Sequence, residues 1–426
     1  MYICKSCIEV DAVQREIEKL SVGKKVCDYC KSTNLVAPKD SIFSFIENNF
    51  FESLVHIDEC SAQERASFWG GSDDLYVKEI WEIINNLELN NELLEEDLTK
   101  YLTQGISAHD NLFTLNDGTL ENNSYQDKWL NFIDSISHGK RFFNVEVSQF
   151  LNDLFSVLHT ENHVDEAICT VLEPGVSLYR ARIANTKLER ENIISDPSRQ
   201  LGAVPAYLAS DQRMTPSGIS AFYASSDRNT CFSEIRAITG DLVISGEFTV
   251  NRSLKFLDLR KLEEVSKNGY HPFEPNYAKN SHRSVFLKQL MFLLSKPASK
   301  RKNSSYLETQ VIFEYLRVNF GDDISGLVFS SVQTGLEGLN VVLFPERSSV
   351  NIYTYNEGQA IEFSESHYPE LGFYAYSKSS TKEAQIKEHK SDLSFVSNSL
   401  ELHYIEAVKT VAKRQNIFIN SGELKF

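Results

Sequence analysis

The chain has 426 residues, 42% of them apolar and 24% charged, which suffices for two or three globular domains with real cores. A formal net charge of −16 repels phosphate backbones at long range and argues against extended nucleic-acid binding. No apolar run is long enough to span a bilayer, and Met1-Tyr-Ile-Cys-Lys5 lacks the pattern of a secretion signal, so the expectation is a cytoplasmic protein with no membrane partner.

Seven cysteines, an odd count, read as reduced thiols rather than a disulfide framework. Four stand in the first segment, residues 1–37, as Cys4-Lys-Ser-Cys7 and Cys27-Asp-Tyr-Cys30. Two such pairs let four thiolates reach one tetrahedral ion and leave no open position, so the expectation is a structural Zn2+ on Cys4, Cys7, Cys27 and Cys30. Nearby Lys5, Lys24 and Lys25 favour the thiolate state. The alternatives are ordinary buried cysteines or a redox pair; Cys60, Cys169 and Cys231 are read as packing residues. Between the pairs, Asp11 to Leu20 predicts an amphipathic helix and Lys24 to Cys30 a strand.

From residue 38 to about 165 the apolar period is helical. Ile42, Phe45, Ile46, Phe50 and Leu54 form one stripe, with Asp40 or Ser41 placed to cap it. Trp81, Ile84 and Leu87 form a second stripe, and Leu93, Leu94, Leu98 and Leu102 a third. Trp129, Phe132, Ile133 and Ile136, then Phe150, Leu151, Leu154 and Leu158, complete a helical bundle.

After Glu173-Pro-Gly175 the pattern turns to short strands: Val176–Arg182, Ala221–Ala224, Leu242–Val250, Leu254–Leu259, Gly326–Ser330, Leu339–Phe344 and Val350–Tyr355. Helices are predicted at Asp227–Ile238, His282–Leu294 and Tyr306–Phe320, giving an α+β domain over residues 170–360. In the extension 361–426, Glu401–Ala412 could form a closing helix. The run Lys296-Pro-Ala-Ser-Lys-Arg-Lys-Asn303 reads as a solvated loop, or else as a dock for a protein or an anion.

Within the α+β domain, Pro216-Ser-Gly218 is a turn that places Arg213 on a loop entering a strand; Tyr223 ends that strand, and Asp227 caps a helix carrying Glu234. Spacing alone permits a surface ion pair between Arg213 and Glu234. The stretch from Arg213 to Arg236, with Leu178-Tyr-Arg-Ala-Arg182, Tyr306-Leu-Glu-Thr-Gln310, Gly326-Leu-Val-Phe-Ser-Ser331 and Gly338-Leu-Asn340, resembles the arginine, glutamate and serine signature of RES-domain proteins, the toxins of RES–Xre toxin–antitoxin pairs.

That resemblance implies an ADP-ribosyltransferase-like fold and NAD+ as substrate, cleaved by hydrolysis, phosphorolysis or transfer to a protein. Arg180 and Arg213 would hold phosphates or orient the ribose, Tyr223 would stack on nicotinamide, Glu234 would be the catalytic carboxylate, and Ser331 would position the substrate. Arg182 lies on the same strand face as Arg180, which is preferred because it follows the tyrosine directly; Ser330 competes with Ser331 on the opposite face. Asn340 is either a pocket amide or a turn residue, and Gln310 either a site residue or a helix residue satisfied by backbone. Met214-Thr-Pro-Ser-Gly218 stands where the family usually has a tryptophan-containing stretch, as in a subfamily variant. The helical region resembles the HEPN-like domain that precedes some RES domains. Arg141 has no histidine at the spacing of HEPN ribonucleases, so scaffolding or sensing is expected rather than RNA cleavage. An antitoxin or regulatory protein is the expected partner. Transfer of ADP-ribose to a specific protein, and an inactive binding module, are the alternatives.

Overall fold

The structure, a computed structural model, describes residues 1–69, 77–87, 89, 91–107, 110–121, 123–160, 163–265, 270–295, 306–351, 361–365, 373–377 and 391–408. The run 296–303, the expected strand beyond Asn351 and residues 409–412 lie outside them. The chain divides into two compact units, Met1–Val157 with Lys261–Leu294, and Leu158–Arg260 with Ser295–Phe426.

The first unit begins with a small three-stranded sheet in the order Tyr2–Cys4, Thr33–Pro38, Lys24–Val26, against which helix Asp11–Lys19 lays Val13 and Ile17. Strand Thr33–Pro38 runs directly into helix Lys39–Glu52, so Pro38 holds the cap position, no side chain caps the helix, and Asp40 sits in its first turn instead. One apolar cluster joins the two regions: Ile3, Ile8 and Val36 pack with Phe43, Ile46, Phe50, Leu94 and Leu98. Trp81 is not part of it. In the short helix Ile80–Asn85 the buried residues are Ile80, Ile83 and Ile84, while Trp81 is 46% exposed and donates its Nε1 hydrogen to Glu79 Oε2 at 2.9 Å. Helices Ser124–His138 and Val145–Leu154 bury the expected Trp129, Phe132, Ile136, Leu151 and Leu154. Helix Tyr277–Ser295, which falls between strands of the α+β region in sequence, belongs to this helical unit, where Phe286 stacks on Tyr125 at 6.3 Å.

The second unit is built on a mixed sheet, ten-stranded among the described residues. Its order is Val350–Asn351, Leu393–Phe395, Leu242–Val250, Ser177–Ile183, Phe222–Ser225, Leu339–Leu343, Gly326–Ser330, Leu254–Asp258, Cys169–Leu172. Pairing is antiparallel except between Leu254–Asp258 and Gly326–Ser330 and between Val350–Asn351 and Leu393–Phe395. Phe222, Phe248, Phe256, Val341 and Leu343 form its core. Residues Glu401–Tyr404, expected to begin a helix, are instead a strand on the edge of Leu242–Ser245. The reason is tertiary. That edge offers unpaired backbone groups, and Leu402 packs on the sheet's apolar cluster while His403, its partner-side neighbour, meets Ser245 at 2.9 Å.

Candidate functional site

In the second unit the antiparallel strands Ser177–Ile183 and Phe222–Ser225 share one register pair, Ser225 opposite Tyr179. Continued pairing would set Ala224 against Arg180 and Tyr223 against Ala181; the ladder stops short of both, and the four residues line a cavity of about 320 Å³. Consecutive residues of each strand therefore reach the cavity, which strict side-chain alternation would forbid. Ser225 is also opposite Asn340, and Asn340 opposite Phe329, so Tyr179, Ser225, Asn340 and Phe329 form a row across the sheet that floors the cavity.

Glu234 comes from the helix that follows Phe222–Ser225. Asp227 starts this helix by accepting from the Thr230 backbone N–H at 2.8 Å, and Glu234 closes its last turn. Glu234 Oε1 accepts from Ser331 Oγ at 2.5 Å and from Asn340 Nδ2 at 2.7 Å, while Asn340 Oδ1 accepts from Ser225 Oγ at 2.9 Å. Ser331 is 0% exposed and Asn340 and Ser225 are buried, so the carboxylate is held by groups with little freedom to turn away. Ser331 and Asn340 flank a tight loop closed by Ser331 N–H on Gly338 O at 2.7 Å. Gly338 lies against the helix so closely that a Cβ there would sit 2.2 Å from Thr230 Oγ1.

Arg213 and Gln212 stand on a loop that is pinned from two sides. Helix Leu307–Phe320 binds it through Thr309 Oγ1 on the Arg213 carbonyl and Gln310 Nε2 on the Gln212 and Thr215 carbonyls, at 2.9 and 3.3 Å for the latter two. From the strand side, Met214 N–H donates to Tyr223 Oη at 2.9 Å. Gln310 thus works through backbone, and what it holds is the arginine loop. Burial pushes the Tyr223 phenol up to about 12 against the hydrogen bond from the Met214 N–H, so the ring stays neutral. Arg180 donates to Gly202 O at 2.6 Å and lies over the Phe222 ring at 4.8 Å; desolvation lowers it to about 10, still charged at neutral pH. Arg182 is exposed and turned to Gln200; neither Ser330 nor Ser331 lines the cavity, and Ser331 acts on it only through its bond to Glu234.

Residues given no site role from the sequence also line it: Tyr179, Ser225, Cys231, Arg236, Tyr306 and Gln333. Cys231, read as a packing residue, is buried, gives its thiol hydrogen to Tyr179 O at 3.0 Å, and is pushed by burial up to about 11, which keeps it a thiol rather than a nucleophilic thiolate. Only the split ladder could have marked Tyr179 and Ser225, and pairing register is not written in local sequence.

In the first unit, the sulfurs of Cys4, Cys7, Cys27 and Cys30 lie within 4.8 Å of one another. Cys4–Cys7, Cys4–Cys30 and Cys7–Cys27 separations are 3.7, 3.5 and 3.6 Å. A tetrahedral ion with metal–sulfur bonds of ~2.3 Å sets sulfurs ~3.8 Å apart, so the four thiols fit one soft divalent cation. Arg141, in the same unit, donates to the Ile136 carbonyl at 3.2 Å, a helix-end contact.

Among the described residues no helix is long and apolar enough to cross a membrane. Residues 177–363 match the family model of the RES domain, and residues 21–150 match that of HEPN/RES N-terminal domain 1. The first match contains every cavity residue named above. The second takes in Cys27 and Cys30 and leaves Cys4 and Cys7 outside it. No curated protein matches the chain.

Proposed function

We propose that this RES-domain protein cleaves NAD+ at the bond between nicotinamide and ribose, and that it acts as a growth-arresting toxin or defence effector. The observation that carries this reading is the anchored carboxylate. Glu234 Oε1 takes hydrogen bonds from both Ser331 and Asn340, which leaves Oε2 as the oxygen for a ligand inside a cavity that also holds Tyr223, Arg180 and Arg213.

When the C1′–N bond breaks, its electron pair leaves with neutral nicotinamide and positive charge develops on the ribose. A fixed carboxylate beside that ribose stabilises the charge and accepts from a ribose hydroxyl, at no cost of reorganisation. Arg180 and Arg213 hold the diphosphate, Tyr223 offers its ring face to nicotinamide, and Ser331 with Asn340 keeps Glu234 aimed. With water as acceptor, the products are ADP-ribose, nicotinamide and one proton. Phosphate or a protein side chain can replace water with the same residues in the same roles. Cys4, Cys7, Cys27 and Cys30 would hold a structural Zn2+, which cross-links the N-terminal sheet and supplies no chemistry to the reaction. An enzyme that depletes a shared cofactor requires restraint, and a neutralising protein partner in the cytoplasm is part of this proposal.

The test is nicotinamide release from NAD+ by the purified chain, with and without phosphate, beside Glu234→Gln. Release by the wild type and its loss in the variant is the expected result. No release from NAD+ by the wild type, with or without phosphate or protein acceptors, would remove the reading.

A further inference from the structure

We infer that Arg236 binds the substrate diphosphate, from a helix cap whose geometry favours glycine and which instead sets a guanidinium at the cavity beside Glu234. The identity of the ligand rests on the NAD+ reading above; the anionic character of the subsite does not.

Helix Arg228–Glu234 ends with Ile235 as its C-cap. The next residue, Arg236, has φ of +54°, and the turn is closed by Arg236 N–H on Ser233 O at 3.1 Å and Ala237 N–H on Phe232 O at 3.2 Å. That pair of bonds, from the first and second residues past the cap, is the Schellman closure, whose left-handed position belongs to glycine because a Cβ there crowds the backbone. An arginine in that position is a conformational cost; Lys31, Phe143, Asn276 and Leu336 bear it too, and of the five only Arg236 lines the cavity.

No gain is visible within the fold. The Arg236 side chain is exposed and makes no hydrogen bond or ion pair among the described residues, yet it lines the cavity. A strained residue at a cavity, with an unengaged charge, points to a ligand. The charge balance identifies its chemistry. Three arginines, Arg180, Arg213 and Arg236, line the cavity against one carboxylate, Glu234. Arg180 already spends part of its fork on Gly202 O and its face on Phe222. A diphosphate needs more than one planar fork. The phosphate on the 5′ carbon lies next to the ribose that Glu234 contacts, and Arg236 is two residues from Glu234 in the chain.

The experiment titrates ADP, which carries the diphosphate and no nicotinamide, into the full chain and into Arg236→Gly and Arg236→Gln by calorimetry, with thermal melting of each and KM and kcat for nicotinamide release. Arg236→Gly is expected to melt at or above the wild-type temperature while its Kd for ADP rises about tenfold to a hundredfold, the worth of a charge-assisted contact. KM for NAD+ should rise more than kcat falls. Arg236→Gln, which keeps a long polar side chain, should weaken ADP in the same way. Equal ADP affinity in wild type and Arg236→Gln, or no ADP binding by the wild type, would overturn the inference. Wild type that binds ADP through Arg236 but releases no nicotinamide would sink the cleavage reading and leave the inference standing. Release by the wild type with unchanged ADP binding in the variants would do the reverse.

Discussion

Asparagine 340 offers the sharpest test of the anchored carboxylate. Asn340→Asp keeps volume and keeps the acceptor that takes the Ser225 hydroxyl at 2.9 Å, but it replaces the amide that donates to Glu234 Oε1 at 2.7 Å with a second carboxylate oxygen. Two carboxylates at that distance do not both ionise; they share a proton, and the pair titrates with one step moved upward. At neutral pH the shared proton keeps a hydrogen bond between the two groups but neutralises the charge that should meet the ribose cation. Once that proton leaves, the bond is gone and the two anions repel; a hydrogen bond to a charged acceptor is worth ~1.5–3 kcal/mol, so at ~1.4 kcal/mol per decade that loss alone lowers kcat/KM roughly ten- to a hundredfold. The assay is nicotinamide release from NAD+ across pH 5 to 9, with thermal melts to confirm folding. The sign follows from the raised step: one proton neutralises the pair below it, and above it Glu234 recovers its charge without the Asn340 hydrogen bond, so the variant should regain part of its activity as pH rises and stay below the wild type. Asn340→Asp with more than half the wild-type rate at pH 7 and an unaltered pH profile would refute the argument that Asn340 aims Glu234.

Three further outcomes follow from the geometry. Gly338→Ala should destabilise the second unit by ~1–3 kcal/mol, because its Cβ would meet Thr230 Oγ1 at 2.2 Å; adding Thr230→Ala should recover part of the melting temperature if that contact is the cause. The chain should carry about one zinc, measured by elemental analysis, and Cys27→Ser should lose the metal and lower the melting temperature; a metal-free wild type that melts unchanged on chelation would contradict the site. Phe395→Ala should cost ~3 kcal/mol by denaturant unfolding, since Phe395 is buried edge-on to Phe248 at 5.4 Å, although it lies beyond the matched RES region.

Local chemistry made much of the site legible. Pro216–Gly218 marks a turn, the strand after it carries Tyr223, and Asp227 caps the helix of Glu234, so the loop–strand–helix order was readable from residue types. The helical period located the bundle, but a short element resolves phase poorly: in Ile80–Asn85 the buried face starts at Ile80, one residue from where Trp81, Ile84 and Leu87 would put it. Non-local pairing is not encoded in the residue types of one segment. Glu401–Tyr404 is a strand because an open edge at Leu242–Ser245 receives it, and no property of those four residues demands that. Arg236 was legible only as a letter after Glu234; its left-handed backbone, which gives it meaning, exists only once the helix ends at Ile235.

Past the pair of Tyr179 with Ser225, Arg180 and Ala181 on one strand and Ala224 and Tyr223 on the other line the cavity, and Glu234 joins them from its helix. Cys231 ties the helix to Tyr179, where the last pair forms, and Tyr223 is drawn by its hydroxyl to Met214 on the arginine loop, which Thr309 and Gln310 in turn fasten to their helix. The opposite strand pairs with Leu242–Val250 over seven register positions, and Phe222–Ser225 pairs with Leu339–Leu343 over four. The cavity thus lies where two strands with one shared pair each pair at length with a different neighbour; the arginine loop and Tyr223 are fastened to one another and to the helix of Thr309 and Gln310, and the carboxylate is placed by Ser331 and Asn340.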